Sequence, residues 1–142
     1  MDRKTLARIQ RVRVLQAGLA QAGEVRARDT LASEAALSDR IAGLAAAVAP
    51  VRQESTAVSF AAAAHYRERL HRSALTAADR VAAAEKQAEA AAEAAREARR
   101  DQSAVEKLLV RAQAEAVMRE MRALEDAPVF KPLSERLRHD PC

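Results

Sequence analysis

Residues 65–125 read HYRERLHRSALTAADRVAAAEKQAEAAAEAAREARRDQSAVEKLLVRAQAEAVMREMRALE, a stretch that contains neither Gly nor Pro. Ala, Glu, Arg, Lys, Gln and Leu dominate it, and these side chains lose little freedom when they enter a helix. A helix over the whole stretch would be about 90 Å long, at about 1.5 Å per residue. Because a helix of that length does not fit inside a compact domain of 142 residues, the stretch predicts an elongated rod.

An apolar seam runs along this predicted helix in alternating steps of three and four residues. Such steps are the spacing of a coiled coil. Ala is abundant throughout, so the large members carry the information, and Phe60, Leu70, Val81, Val105 and Leu109 all fall in phase. The complete second-helix seam consists of Phe60, Ala63, Arg67, Leu70, Ala74, Ala77, Val81, Ala84, Ala88, Ala91, Ala95, Ala98, Gln102, Val105, Leu109, Ala112 and Ala116.

A second long helix is predicted upstream of the first, over residues 3–49. Two apolar runs at three- and four-residue steps lie in it, and they are out of phase with each other, which predicts a stutter between them. The first run consists of Leu6, Ile9, Val12, Leu15, Leu19 and Ala22, and the second of Leu37, Ile41, Leu44 and Val48. Pro50 ends the helix because it lacks the N–H that a helix needs.

The short connection predicted at 50–58 makes the two helices fold back on each other. Together with a helix over 59–126 and a flexible tail at 128–142, this predicts an all-α fold, an antiparallel coiled-coil hairpin whose second helix is the longer. Residues equidistant from position 53 would then face each other. This pairing sets Ile9 near 95–99.

The same pairing has two further consequences. The large side chains from Leu15 to Leu37 would lie against the Ala-rich part of the second-helix seam, since close packing favours large against small. The first helix would also run out near position 103, so residues 103–125 would overhang the hairpin as a single helix.

Charged side chains agree with a hairpin. An acidic row recurs every four residues in the second helix, and like charges at this spacing repel. The row consists of Glu85, Glu89, Glu93, Glu97 and Asp101. We expect part of this repulsion to be relieved within the helix by pairing of Arg96 with Glu93 and of Arg100 with Glu97. The basic residues of 3–13 are expected to lie near the remaining carboxylates.

Composition excludes most enzyme classes. With two Phe, one Tyr, three Gly and no Trp, the chain is poorly suited to a dense globular core. The sequence contains no phosphate-binding glycine loop and no nucleophile elbow. His65 and His71 are six residues apart, which is not the i,i+4 spacing of a zinc-binding pair on a helix. We therefore expect no catalytic residues, no metal, no cofactor and no small-molecule substrate. Cys142 is the only cysteine, and the N-terminus lacks the apolar core of a secretory signal, which favours a cytoplasmic protein.

The segment Val105-Glu106-Lys107-Leu108-Leu109-Val110-Arg111 follows a basic stretch at 96–100. It resembles the EKL-x-x-R-type motif on the second helix of the FliJ family of the flagellar export apparatus. Tyr66, four residues before Leu70, is similar to an aromatic residue and a leucine that the family has there. After residue 122 the chain departs from the family pattern, with ALEDAPVFKP in place of a longer polar stretch.

The resemblance implies a non-enzymatic cytoplasmic stalk, peripheral to the inner-membrane export apparatus. Its partners would be the hexameric export ATPase, the export gate protein and export chaperones. The gate contact would use Phe60, Tyr66 and Leu70. Contact with the ATPase ring would use Val105, Lys107, Leu109, Arg111, Val117, Arg119, Met121 and Arg122.

Three other interpretations stay open at this point. Injectisome stalk proteins look similar, and a coiled-coil adaptor of unrelated function has the same heptads. The net charge of +4 also permits a coiled coil associated with nucleic acid. The interspersed acids and bases favour a solvated exterior over that last interpretation.

Overall fold

The computed structural model describes residues 2–48 and 57–128. They form two helices, α1 over Arg3–Ala47 and α2 over Ala57–Glu125, which pack against each other along their lengths. The predicted all-α hairpin with a longer second helix is confirmed. Residues 50–56 of the predicted connection, and the predicted tail after Pro128, lie outside the described residues.

One backbone hydrogen bond marks each end of α1. Asp2 is extended, and its carbonyl accepts the first helical hydrogen bond from the amide of Leu6 at 3.0 Å. At the other end the amide of Val48 donates to the carbonyl of Leu44 at 3.2 Å. The helix ends at Ala47, three residues before Pro50, because the residue preceding a proline is disfavoured in helical geometry.

The second-helix seam is confirmed over most of its length. Each of its members from Arg67 to Ala116 is buried or half-buried, and Ala95 is the most enclosed at 1% exposure. The two members before Arg67 are exposed, with Phe60 at 62%. The heptad phase of α2 therefore matches the prediction wherever α1 lies beside it.

The packing face of α1 differs from the prediction. Thirteen of its buried and half-buried residues follow one unbroken alternation of three and four, with no stutter, and the others lie beside this row. This α1 seam consists of Leu6, Gln10, Arg13, Ala17, Ala20, Glu24, Ala27, Leu31, Glu34, Ser38, Ile41, Ala45 and Val48. Four of the thirteen are large aliphatic residues and three are charged.

The expected packing of large side chains against small ones is wrong for Leu15 and Leu19. Leu15 is 68% exposed and Leu19 is 70% exposed, so both face away from α2. Small residues of each helix are buried instead, with Ala17 of α1 at 7% and Ala84 of α2 at 5% exposure, and Leu31 is half-buried beside the Ala-rich part of α2. Alanines on both sides allow two helices to approach at the short end of the usual interaxial range of about 8–10 Å. The face that carries the α1 seam packs against α2 because it stays in phase from Leu6 to Val48, whereas the large residues change phase midway.

Two ion pairs between the helices define the register. Arg13 lies 2.9 Å from Asp101, and Arg80 lies 2.9 Å from Glu34. Both pairs are equidistant from Ala57, so Ile9 lies opposite Val105 and not near 95–99 as predicted. The prediction assumed that α2 begins beside the end of α1. In the structure Val48 lies opposite Tyr66, and the first turns of α2 project beyond α1.

Candidate partner-binding surfaces

The far end of α2 projects beyond α1 as a single helix. By the register of the ion pairs, Arg3 at the start of α1 lies opposite Arg111. The overhang, defined as residues 112–125, is thus shorter than the predicted 103–125. Residues 103–111 pack beside the first turns of α1. They do so because the observed register is centred at Ala57, so α1 extends further along α2 than in the predicted register centred at position 53.

Exposed apolar side chains follow the overhang and its approach. Val117, Met121 and Leu124 are 55%, 49% and 76% exposed, and they are spaced by four and three residues. Val110, at 64% exposure, continues the same stripe with Ala114 between. A stripe with this spacing on an uncovered helix is the form that a coiled-coil contact takes.

The residues predicted to contact an ATPase ring divide into two groups. Val105 and Leu109 are half-buried members of the second-helix seam, where they lie against α1. The remaining six are exposed: Lys107, Arg111, Val117, Arg119, Met121 and Arg122. The structure therefore presents four cationic and two apolar members of the set to solvent.

The residues predicted to contact an export gate lie at the opposite end of α2. Phe60 and Tyr66 are 62% and 50% exposed, and Leu70 is half-buried in the seam. Phe60 was expected to be at least partly buried by heptad phase. It is exposed because the described part of α1 ends opposite Tyr66 and no described residue of α1 reaches it.

A third surface lies on α1, on the side facing away from α2. We call it the outer stripe: it consists of Val12, Leu15, Leu19 and Ala22, at steps of three, four and three. Val12 is 53% exposed, and Leu15 and Leu19 are more so. Sequence reasoning assigned these residues to the hairpin interface. Their phase, out of step with Leu37 to Val48, was the signal that they form a separate surface.

Charge is unevenly distributed around these surfaces. The first 21 residues of α1, 3–23, hold five basic residues and no acidic one. Among the ion pairs in the described ranges, one involves these bases, that of Arg13 with Asp101. The predicted contact between the acidic row of α2 and the basic N-terminal part of α1 is confirmed for this one pair.

Within α2 one member of the acidic row, Glu93, is paired with bases, and its partners differ from those predicted. Glu93 accepts hydrogen bonds from Arg100 at 2.9 Å and from Arg96 at 2.7 Å. These two guanidinium groups, Arg100 first, hold the pKa of Glu93 below its ordinary value. Arg100 therefore pairs with Glu93, whereas the prediction paired it with Glu97.

The described part of the chain offers little for small-molecule chemistry. Its concavities are shallow grooves on the sides of the rod, such as the one lined by Arg28, Leu31, Glu85 and Ala88. Within residues 2–48 and 57–128, no group of three His, Cys, Asp or Glu side chains is placed to hold a metal ion. Neither described helix has a stretch apolar enough to span a bilayer.

The fold and these surfaces define a class: a long antiparallel helical hairpin with apolar stripes on its outer faces. Comparison with family models, with curated proteins and with solved structures gave no match to the chain.

Proposed function

We propose that this chain is a non-enzymatic coiled-coil stalk of the flagellar export apparatus, as its resemblance to the FliJ family implies. The overhang is the observation that carries the proposal. It is a helix that extends past its partner, with apolar residues exposed at heptad spacing and Arg119 and Arg122 among them. A single uncovered helix of this length is marginal by itself, so a surrounding protein would stabilise it.

The proposed partner at this end is the ring of the export ATPase. A rod that is wider at the hairpin and narrows to one helix can enter a ring by its narrow end. Because one helix has no rotational symmetry, it touches different subunits of a ring with different side chains. Contact with one or two subunits at a time would favour their closed form and promote hydrolysis. All catalytic groups would belong to the ATPase.

Stimulation of the ATPase encoded in the same genome tests this assignment. The double variant Val117→Ser, Met121→Ser removes two exposed side chains and should leave the hairpin as helical as before by circular dichroism. We expect it to lose most of the stimulation that the full chain gives. Leu75→Ser is the matched control, since Leu75 is 56% exposed on α2 beside α1, away from the overhang. Full stimulation by the double variant would refute the assignment.

The gate contact is proposed for the other end of α2. Phe60 and Tyr66 are exposed aromatic side chains beyond the described end of α1, and aromatic anchors contribute heavily to binding. Tyr66→Ala should weaken binding to the cytoplasmic domain of the gate protein and leave the unfolding temperature unchanged. A large drop in that temperature would instead assign Tyr66 to the packing of the hairpin.

A further inference from the structure

The outer stripe on α1 is an apolar surface that neither the hairpin nor the proposed stalk function uses. Leu15 and Leu19 are 68% and 70% exposed, and Val12 is 53% exposed. It lies away from the overhang, because position 12 is opposite Gln102 and the stripe runs from there toward the middle of the rod. Large aliphatic side chains at this exposure gain free energy when a partner covers them, about 25 cal/mol for each Å² removed from water.

The shape of the outer stripe favours a helix as its occupant. Its steps of three, four and three residues are those of a coiled-coil seam, into which the side chains of another helix fit. Arg8 and Arg11 border the stripe at its start and Gln16 borders its middle, while Val14, at 44% exposure, adjoins Leu15. A helix that lies on a bilayer has a broader apolar face, so a lipid surface fits less well.

The charge around the outer stripe determines the kind of helix. No acidic residue occurs between Arg3 and Gly23, while Arg3, Lys4, Arg8 and Arg11 make no ion pair among those of the described chain. A partner helix with acidic residues beside its apolar seam would pair with these bases. The same stretch of a second copy would bring more bases and no acids.

We propose that the outer stripe docks an acidic amphipathic helix of another protein, which lies along α1 as a third helix beside Arg8 to Ala22. The apolar seam of that helix covers Val12, Leu15 and Leu19. Its carboxylates lie near Arg8 and Arg11. This inference does not depend on the identity of the apparatus that the chain serves.

A synthetic peptide tests the proposal on the full chain. The probe is a fluorescein-labelled three-heptad helix with Leu at its seam positions and Glu beside them, and its counterpart has Lys in place of every Glu. Fluorescence anisotropy at low salt should show saturable binding of the Glu peptide and at least tenfold weaker binding of the Lys peptide. Added salt should weaken the binding, because screening reduces exposed charge contacts.

Two variants locate the binding. Leu15→Gln with Leu19→Gln should weaken the Glu peptide at least tenfold while circular dichroism stays unchanged, since both side chains face solvent. Leu75→Gln, a similarly exposed leucine on α2, should bind as the unaltered chain does. Equal loss in both variants, or the absence of saturable binding, would overturn the proposal.

Two further measurements distinguish the other occupants. Sedimentation velocity of the full chain would show a dimer that the double variant loses if a second copy covered the stripe. Co-sedimentation with vesicles of phosphatidylserine and phosphatidylcholine would show binding that depends on Leu15 and Leu19 if a membrane covered it. Either result, without Glu-peptide binding, would replace the proposed occupant. A monomer that does not bind vesicles and does bind the Glu peptide supports the proposed acidic helix.

Discussion

Two faces of α1 each carry a row of residues at heptad spacing, and one row is packed against α2 while the other is exposed. The inner face holds Ala17, Ala20 and Glu24 and packs against α2, whereas the outer face holds Val12, Leu15 and Leu19 and faces solvent. Hydrophobicity alone would assign the outer residues to the interior. Continuity decides otherwise, because the α1 seam keeps one phase over the whole helix and can therefore stay in contact with a long straight partner. A helix with two heptad stripes uses the longer one for its own fold.

The largest effect should come from cross-linking, which measures the register in which the inner face of α1 lies against α2. In a Cys142→Ser background, Arg13→Cys with Asp101→Cys should cross-link within one chain through a short bismaleimide, since these two side chains meet. Arg13→Cys with Glu93→Cys, the pair that a centre at position 53 predicts, should stay unlinked. Its partners are about 12 Å further apart along the rod. Preferential linkage of the second pair would show that the helices pair in the register centred at position 53.

A smaller effect should follow from changing one residue on each face. Ala95→Leu adds volume at a position that is 1% exposed, and overpacking of this kind costs about 1–3 kcal/mol of unfolding free energy. Leu19→Ala on the outer face should change that free energy by no more than about 0.5 kcal/mol. Urea unfolding followed by circular dichroism measures both. A loss of about 2–5 kcal/mol for Leu19→Ala would mean that Leu19 is a core residue after all.

The smallest effect concerns ion pairs on the two kinds of surface. Arg80 pairs with Glu34, whose side chain is 18% exposed and whose second carboxylate oxygen is buried with no partner in the described structure. Arg80→Ala should therefore cost about 1 kcal/mol, because it leaves a largely enclosed carboxylate without its cation. Arg72→Ala, which breaks the exposed pair with Glu68, should cost no more than about 0.5 kcal/mol.

A second substitution serves as the control for the Arg80 result. Glu34→Leu in the Arg80→Ala background should recover the lost stability in the same urea experiment, because it removes the uncompensated carboxylate from the α1 seam. Equal costs for Arg80→Ala and Arg72→Ala would indicate that the seam of α1 is as well hydrated as its outside.

The comparison of the two helices shows why sequence reasoning succeeded for one and failed for the other. In α2 four large residues beside α1, Leu70, Val81, Val105 and Leu109, belong to one stripe, although Leu75 and Leu108 lie off it and are exposed. In α1 phase and size disagree, because Leu15 and Leu19 lie on one face and Leu31 and Ile41 on another. Side-chain size is a reliable guide only where a helix carries a single stripe.

The candidate surfaces divide in the same way. Exposure of Met121 and Leu124 was predictable, because both lie past the end of the shorter helix. The half-burial of Val105 and Leu109 against α1 was not, since it depends on a register eight residues away from that of a tight turn. The outer stripe was visible as a pattern, but its exposure follows only from which face α1 turns to α2.

By itself the sequence determined that the chain forms two long helices folded back on each other, with α2 the longer. It also determined the phase of the second-helix seam. These properties are local: helix propensity, the position of Pro50 and the spacing of apolar residues act within one helix. Tertiary structure decided which face of α1 packs, where the overhang begins and which acid meets Arg13. Those outcomes depend on matching two long seams at once, together with the ion pairs that one register permits and another does not.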